Sequence, residues 1–448
     1  MFEAIGRGEI KAVWIACTNP AQSMPDANAV RKALAGAEFV VVQEAFRDAE
    51  TCDYADVLLP AASWGEKEGT VTNSERRISR VRAAVPPPGE ARPDWRIAVD
   101  FARKLSSFFP GKEKLFDYKT PEDIFNEHRE STRGRDLDIV GLSYALLERD
   151  GPQQWPFPEG ARSGRTRLYA DGVFPTPTGR ARFVATEYLP PAEEPDGQFP
   201  IRLTTGRLRD QWHSMTRTGL VARLFSHSPE PEIVVSESDL QQNKYSNHDL
   251  VRVTSRRGSL VMKIRSSDDM RPGDAFVAMH WGGRFTSGVG TNALTVAAVD
   301  PYSKQPELKH AAIRIEPFAA RWRGAFAAPA TPERQRAATG SLARFDYAAL
   351  SLVEGPELLL RLELATGGDP DTSVLAALEK SFGQPPDTDI AGASLSSERA
   401  VCACFRVGES QIRTAVAAGA SFAELQKDLK CGTNCGSCVP ELRRLAAA

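Results

Sequence analysis

Four cysteines near the end of the chain constrain its folding more than any other feature. They form two close-set pairs, Cys402-Ala403-Cys404 and Cys435-Gly436-Ser437-Cys438, with a fifth thiol at Cys431. Five of the seven cysteines therefore fall within the 37 residues from 402 to 438. Thirty residues separate Cys404 from Cys435, room for two short helices and a turn. The local sequence predicts one helix over residues 409–418, stopped by Gly419. A second opens on the capping box Ser421-Phe422-Ala423-Glu424 and ends at Gly432. Such a hairpin gathers both pairs around one metal centre, and four thiolates suit either zinc or a small iron–sulfur cluster. Glycine beside a ligand cysteine lets backbone amides approach sulfur. The plain alternative is a set of unrelated buried and surface thiols.

A chain of 448 residues predicts two to four domains. Its 56 basic and 58 acidic residues give a net charge of −2. That balance calls for neither nucleic acid nor an anionic membrane surface. No apolar run approaches membrane-spanning length, and MFEAIGRGEIKAVW has no charged segment leading into an apolar one. Clustered thiols suit a reducing compartment, so a soluble cytoplasmic protein is expected.

The first hundred or so residues (1–115) read as an α/β domain. Residues 11–17 (KAVWIAC) form a short apolar strand ending in the turn Thr18-Asn19-Pro20. Asp26 caps a helix that runs to about Ala35, and Gly36 stops it. Residues 39–43 (FVVVQ) and 55–60 (ADVLLP) supply two more strands, whose unbroken apolar runs predict a parallel sheet buried on both faces. In such βαβ folds the loops at strand carboxyl ends bind ligands. Here those loops hold Thr18 and Asn19, then Glu44, then WGEKEGT (64–70) with Asn73, Glu75, Arg76 and Arg77. A glutamate just past a buried strand commonly takes nucleotide hydroxyls or amines. No G-x-G-x-x-G or Walker A motif occurs, so an ordinary dinucleotide or ATP site is not indicated. Solvated loops on a structural domain are the alternative, and Glu66 with Glu68 reads as such a solvated pair.

A helix over 94–105 follows a proline-rich turn. Residues 116–197 form a polar connector with one clear helix start, Thr120-Pro121-Glu122. From 198 to 317 the pattern changes to short strands (201–205, 250–254, 260–264, 274–279), with an Arg256-Arg257-Gly258 hairpin turn, which suggests a small barrel. Its loops carry Arg207, Trp212, His213, Thr216, His280, Trp281, Asn292 and Lys309. His213 on its own reads as a hydrogen-bonded structural histidine. Residues 318–398, rich in alanine, proline and leucine, read as helices joined by loose linkers.

Longer strings carry a resemblance. Residues 401–445 (VCACFRVGESQIRTAVAAGASFAELQKDLKCGTNCGSCVPELRRL) are similar to the bacterioferritin-associated-ferredoxin-like [2Fe-2S] domain, in which the ligands match Cys402, Cys404, Cys435 and Cys438. Cys431 lies outside that pattern. WIACTNPAQSMPD, VVVQEAFRDAETCDYADVLLPAASWGEKEGTVTNSERRISRVR, LTTGRLRDQWHSMTRTG, MHWGGRF, TNALT and DPYSKQPELKHAA resemble, in that order, the C-terminal half of molybdopterin oxidoreductases. The closest likeness is to the catalytic subunit of bacterial assimilatory nitrate reductase. The resemblance implies α/β plus β architecture: a parallel α/β domain (1–115), a double-psi β-barrel (198–317) and a small helical [2Fe-2S] module (399–448). It implies that Thr18, Asn19, Glu44, Asp56, Glu68, Gly69, Thr70 and Asn73 line the site of one molybdopterin guanine dinucleotide. It also implies that Thr205, Gly206, Arg207, Trp212, His213, Thr216, Asn292 and Lys309 contact one or both pterin cofactors. Guanine, pterin and pyrophosphate all demand converging polar groups.

The family's other half carries a [4Fe-4S] cluster and, in nitrate reductases, a cysteine ligand to molybdenum. The chain is expected to start after that half, with Cys17 and Cys52 as structural thiols. A split gene, a truncation and a mis-called start all explain this. The resemblance implies a molybdenum bis(molybdopterin guanine dinucleotide) enzyme that reduces nitrate. Its electrons would come from ferredoxin, flavodoxin or an NAD(P)H-dependent flavoprotein, and a separate N-terminal-half polypeptide is a possible partner. The alternatives are a non-catalytic electron-transfer or cofactor-binding subunit, a gene remnant, or another molybdopterin oxidoreductase such as a formate dehydrogenase.

Overall fold

Strands β1 (Ala12–Ala16), β2 (Phe39–Glu44) and β3 (Val57–Pro60) pair in parallel, in that order, in the computed structural model, which describes residues 1–109, 111, 115–307, 310–383 and 399–447. The Ala27–Gly36 helix, capped by the Asp26 carboxylate, covers one face. Ile15, Val30, Leu34, Val40 and Val42 close the core there. The opposite face corrects the expectation of two-sided burial. The register sets Trp14 beside Val41 and Val41 beside Val57, with Phe39 on the same face. Phe39 is 45% and Val57 38% exposed. Among the described residues, the Asp94–Ser106 helix reaches this side, and its Phe101 meets Trp14 edge-on at 5.0 Å.

An antiparallel hairpin, β4 (Gly69–Thr72) with β5 (Arg77–Val81), follows β3, and the two-residue strand β6 (Gln153–Gln154) extends it. The connector bears the helix Pro121–Ser131, closed at its start by reciprocal Thr120 and Asp123 hydrogen bonds. Its later part is irregular and runs over the barrel, where Glu193 takes both terminal nitrogens of Arg257 at 2.7 and 2.8 Å.

Six strands close the barrel: β7 (Ile201–Gly206), β8 (Glu232–Val235), β9 (Leu250–Thr254), β10 (Ser259–Ser266), β11 (Asp274–Ala278) and β12 (His310–Pro317). Two pairs, β7 with β11 and β8 with β10, are parallel, and the rest are antiparallel. Leu203, Ile233, Val253, Met262, Val277 and Ile313 fill the interior. Because β7 and β11 are parallel neighbours, the loops after them leave at the same end. The Met279 amide donates to Gly206 O at 2.9 Å, fastening the two exits together.

The reading of 318–398 as helices and linkers is corrected. Strands β13 (Trp322–Pro329), β14 (Tyr347–Glu354) and β15 (Leu358–Thr366) form an antiparallel sheet ordered β13-β15-β14, with helices at Pro332–Ser341 and Thr372–Phe382. YAALSLVE and LLLRLELAT are apolar without clear alternation because both faces are covered. Phe326, Ala338, Leu342 and Leu378 pack on one side, and Leu250 and Val261 of the barrel meet Tyr347, Ala349 and Ala365 on the other. Continuous apolar runs of this length do not distinguish strand from helix. Of the polar stretch expected near 383–398, residues 384–398 lie outside the described residues.

The last module comprises a small hairpin, β16 (Ala400–Cys402) with β17 (Val407–Gly408), and helices Glu409–Ala417, Phe422–Asp428 and Val439–Ala447. Val401, Ile412, Leu425, Leu442 and Leu445 make its core together with Cys402, Cys431 and Cys438.

Candidate functional site

The carboxyl ends of β1, β2 and β3 face the loop after β7 across a cavity of about 400 Å³. Thr18, Asn19 and Glu44 line it from the sheet, as do Ala61–Trp64, and Trp212, His213 and Thr216 line it from the barrel. Six of the expected contacts thus come together. Arg207 donates to His213 Nε2 at 2.9 Å, so that nitrogen acts as the acceptor. The Arg217 guanidinium lies over the Trp212 ring at 5.0 Å. Glu44 Oε1 accepts the amides of Ala45 and Phe46.

Other expected contacts are placed elsewhere or engaged otherwise. Asn19 Nδ2 donates to Glu50 Oε2 at 2.6 Å, and its Oδ1 accepts from the Thr51 amide and hydroxyl. Asn292 Nδ2 donates to Gln22 O at 2.7 Å, so this side chain ties the barrel loop to the α/β layer. Asp56 precedes β3 and accepts the Val40 amide at 2.7 Å, away from the carboxyl ends. Glu68, Gly69, Thr70 and Asn73 belong to the β4–β5 hairpin and do not line the cavity. There Glu68 lies 3.8 Å from Arg80, and Asn73 Oδ1 accepts the amides of Glu75 and Arg77. Gly206 ends β7, where a Cβ would stand 2.9 Å from the Phe276 ring. Lys309 lies outside the described residues.

Among the cavity residues that the sequence reading did not assign as cofactor contacts are Cys17, Gln43, Lys67 and Asp94. Cys17 is exposed, in the left-handed region at φ 60°, so its reading as a structural thiol is corrected. Its thiol lies 3.6 Å from Asp94 Oδ1, which also accepts from Gln43 Nε2 at 2.9 Å, while Lys67 reaches Asp94 Oδ2 at 2.6 Å. Burial alone would raise the Asp94 pKa. Lys67 and Gln43 outweigh it and hold the carboxyl below its usual range. Only Lys67, inside WGEKEGT, carried a local signal. Asp94 opens a helix far along the chain, and only the fold brings it here. Cys52, by contrast, is buried, and burial pushes its thiol up to about 11.

The cavity's donors suit a large polar ligand. Thr205 Oγ1 is buried without a protein partner at the root of the loop that lines it, and outside the lining Glu50 Oε1, Thr286 Oγ1 and Trp281 Nε1 are buried likewise. Buried polar atoms of this kind normally find a partner. Backbone comes close nearby: a Cβ on Gly282 would meet Gln22 Cγ at 2.4 Å and Glu50 Oε1 at 2.6 Å.

All five late cysteines converge in the last module. Cys404 Sγ lies 3.3 Å from Cys435 Sγ, and Cys402 is within hydrogen-bond reach of both Cys438 and Cys431. Burial, then the neighbouring thiols, pushes Cys431 up to about 12 and Cys438 up to about 11. Hydrogen bonds from Ser437 lower the pKa of Cys435, which is exposed. Gathered thiolates repel one another unless a metal compensates the charge, so the group fits a thiolate-bound centre. The Gly432 amide supports the Cys438 sulfur, and Gly432 and Gly436 both adopt φ 73°, the backbone freedom the glycines were expected to supply.

Comparison with known families decides the classification. Residues 1–104 match the molybdopterin oxidoreductase family, 201–312 the molydopterin dinucleotide binding domain, and 400–448 the BFD-like [2Fe-2S] binding domain. The chain carries a molybdopterin oxidoreductase domain over residues 1–104. It is 37% identical over 504 aligned residues to a nitrate reductase of Klebsiella oxytoca, covering 100% of this chain and 57% of that one. It is 38% identical to the assimilatory nitrate reductase catalytic subunit of Bacillus subtilis (71% of this chain, 44% of the relative). The F420-dependent formate dehydrogenase subunit alpha of Methanocaldococcus jannaschii is 41% identical (70% and 44%). The chain therefore spans about half the length of these relatives. Acetylene hydratase from Pelobacter acetylenicus shares the fold over 70% of this chain and 45% of that one, with a TM-score of 0.52 at 18% identity. One chain thus combines segments similar to the molybdopterin oxidoreductase, molydopterin dinucleotide binding and BFD-like [2Fe-2S] binding families. No helix among the described residues is long and apolar enough to cross a membrane.

Proposed function

We propose that this chain is the C-terminal part of the catalytic subunit of a cytoplasmic, assimilatory nitrate reductase. One observation carries the reading. The Klebsiella nitrate reductase matches the whole chain, whereas the formate dehydrogenase subunit matches 70% of it. Cys402, Cys404, Cys435 and Cys438 would hold the [2Fe-2S] cluster. The cavity residues Thr18, Glu44, Lys67, Asp94, Trp212, His213 and Thr216 would hold polar parts of one guanine dinucleotide. Asn19 and Asn292 would shape that site through Glu50 and Gln22 rather than touch the ligand with their amides. The remaining expected contacts, Asp56, Glu68, Gly69, Thr70, Asn73, Thr205, Gly206, Arg207 and Lys309, would belong to the cofactor surface completed by the rest of the enzyme. The two parallel strand pairs within one closed barrel support a double-psi arrangement for residues 198–317.

Bound molybdenum supplies the oxygen-atom chemistry that converts nitrate, two electrons and two protons into nitrite and water. The chain's own residues bind and orient cofactor and admit electrons. Ferredoxin, flavodoxin or an NAD(P)H-dependent flavoprotein would donate them at the module, where Cys435 is exposed. The open sheet face of Trp14, Phe39, Val41 and Val57 supports a further protein segment packing there. That segment would carry the [4Fe-4S] cluster and the molybdenum ligand.

A second reading, formate oxidation, is favoured by the 41% identity to the formate dehydrogenase subunit. Assay of the native molybdenum-containing protein separates the two. Nitrite production from nitrate with reduced methyl viologen, without formate oxidation, supports the proposal. Formate oxidation without nitrate reduction overturns it.

A further inference from the structure

We propose that Arg209, a residue of the barrel, raises the reduction potential of the [2Fe-2S] centre, and that its neighbour Asp210 acts on it in the opposite sense. The inference rests on reading Cys402, Cys404, Cys435 and Cys438 as the cluster ligands.

Arg209 and Asp210 sit in the loop after β7, the same loop that brings Trp212 and His213 to the cofactor cavity. His280, fully buried, clamps that loop at two points. Its Nε2 accepts the Leu208 amide at 2.9 Å, and its Nδ1 donates to His213 O at 2.6 Å. The residues between are therefore held in place by the barrel. They face the cysteine module. Arg209 Nη1 reaches Glu441 Oε2 at 3.3 Å, and Glu441 lies in the first turn of the helix that starts directly after Cys438. Arg399, three residues before Cys402, takes the other Glu441 oxygen at 2.5 Å. Arg209 Nη2 also pairs with Asp210 Oδ2 at 2.9 Å. The result is an alternating series, Arg399, Glu441, Arg209, Asp210, strung between the ligand-bearing segments and the barrel loop.

The series is mostly shielded from water: the side chains of Arg209, Asp210 and Glu441 are 19%, 11% and 14% exposed. Charges so placed act at distance with little screening. Arg209 is tied through Glu441 to the helix that starts directly after Cys438, and Asp210 is the direct ion partner of Arg209. Reduction adds one negative charge to the cluster. The fixed Arg209 cation, bridged by Glu441 to the ligand-bearing helix, favours that state, and the Asp210 anion paired with it disfavours it.

The test is an EPR-monitored redox titration of the full chain with its cluster reconstituted, alongside iron and sulfide analysis. Arg209→Gln should lower the midpoint by about 59 mV, a tenfold change in the one-electron equilibrium. Asp210→Asn should raise it by a similar amount, and Arg209→Lys should keep it near the unsubstituted value. Opposite shifts are the signature, because a merely structural role for the loop would move both neutral variants the same way. Shifts in the same direction, or no shift in either variant with iron content intact, would overturn the proposal. An unsubstituted chain that takes up zinc but no iron and sulfide would instead overturn the ligand reading itself, and the proposal with it.

Discussion

The side-chain amide of Gln22 donates to the main-chain carbonyl of Met279 at 3.1 Å, joining the α/β layer to the loop that leaves the barrel beside Gly206. Asn292 returns the contact by donating to Gln22 O at 2.7 Å. The two layers are thus docked through buried polar groups, and the cavity between them keeps its shape only while that docking holds. Gly282 lies within it, leaving no room for a Cβ against Gln22 and Glu50. Gly282→Ala should destabilise the protein by about 1–3 kcal/mol, as overpacking does. Gly65, with open space around it, serves as the control. Denaturant unfolding of the two alanine variants checks this.

Asn19 should behave as a structural residue. Its amide is the partner of the buried Glu50 carboxylate. Asn19→Leu leaves that side chain without its partner and should cost about 1–3 kcal/mol, the scale for an unsatisfied buried polar group. Adding Glu50→Gln should recover part of the loss. Equal losses in the single and double variants would show that the Asn19–Glu50 contact contributes little.

The junction between barrel and module should weaken in acid. His227 is buried with Arg209 Nη2 3.2 Å from Nδ1 and Arg399 Nη2 3.5 Å from Nε2. Burial, then the Arg399 and Arg209 charges, depress its pKa to about 4. A histidine unfolds to a pKa of about 6.5, so between pH 6.5 and 4 the unfolded chain binds the extra proton. Stability is therefore complete above that window and falls as pH drops through it, by up to about 3 kcal/mol. Comparing wild type with His227→Gln at pH 7.5 and 4.5 checks the sign: the variant should lose less.

The cysteines should separate into four that bind metal and one that does not. Cys438→Ser should abolish the bound iron, while Cys431→Ser should keep two irons and two sulfides per chain. Cys431 is fully buried beside Cys402, so it is the one thiol positioned to act as a substitute ligand. Loss of iron in the Cys431 variant would move it into the ligand set.

The parts legible in the sequence were those with local signatures. The parallel strands, the Asp26, Thr120 and Ser421 caps, the Arg256-Arg257-Gly258 turn and the paired cysteines all declare themselves within a few residues. The barrel showed only four of its strands. Glu232–Val235 is four residues long, and His310–Pro317 opens on His310-Ala311-Ala312, whose alanines are weak strand formers. The sheet of β13, β14 and β15 was hidden because its strands are covered on both sides and lose their alternation. The Asp94 cluster was hidden for another reason: Cys17, Gln43, Lys67 and Asp94 meet only after the strands align. Asn19 and Asn292 were visible as polar loop residues, but not the partners that occupy their amides.

The most direct test follows electrons through the assembled enzyme. The dithionite-reduced native protein is mixed with nitrate, freed of excess reductant, and frozen at intervals for EPR. The account predicts that the reduced [2Fe-2S] signal disappears as nitrite forms, and that Cys438→Ser blocks turnover driven by the protein electron donor. Nitrite formed at the expense of that donor while the cluster stays reduced, or a cluster unaffected by nitrate in an active preparation, would contradict it.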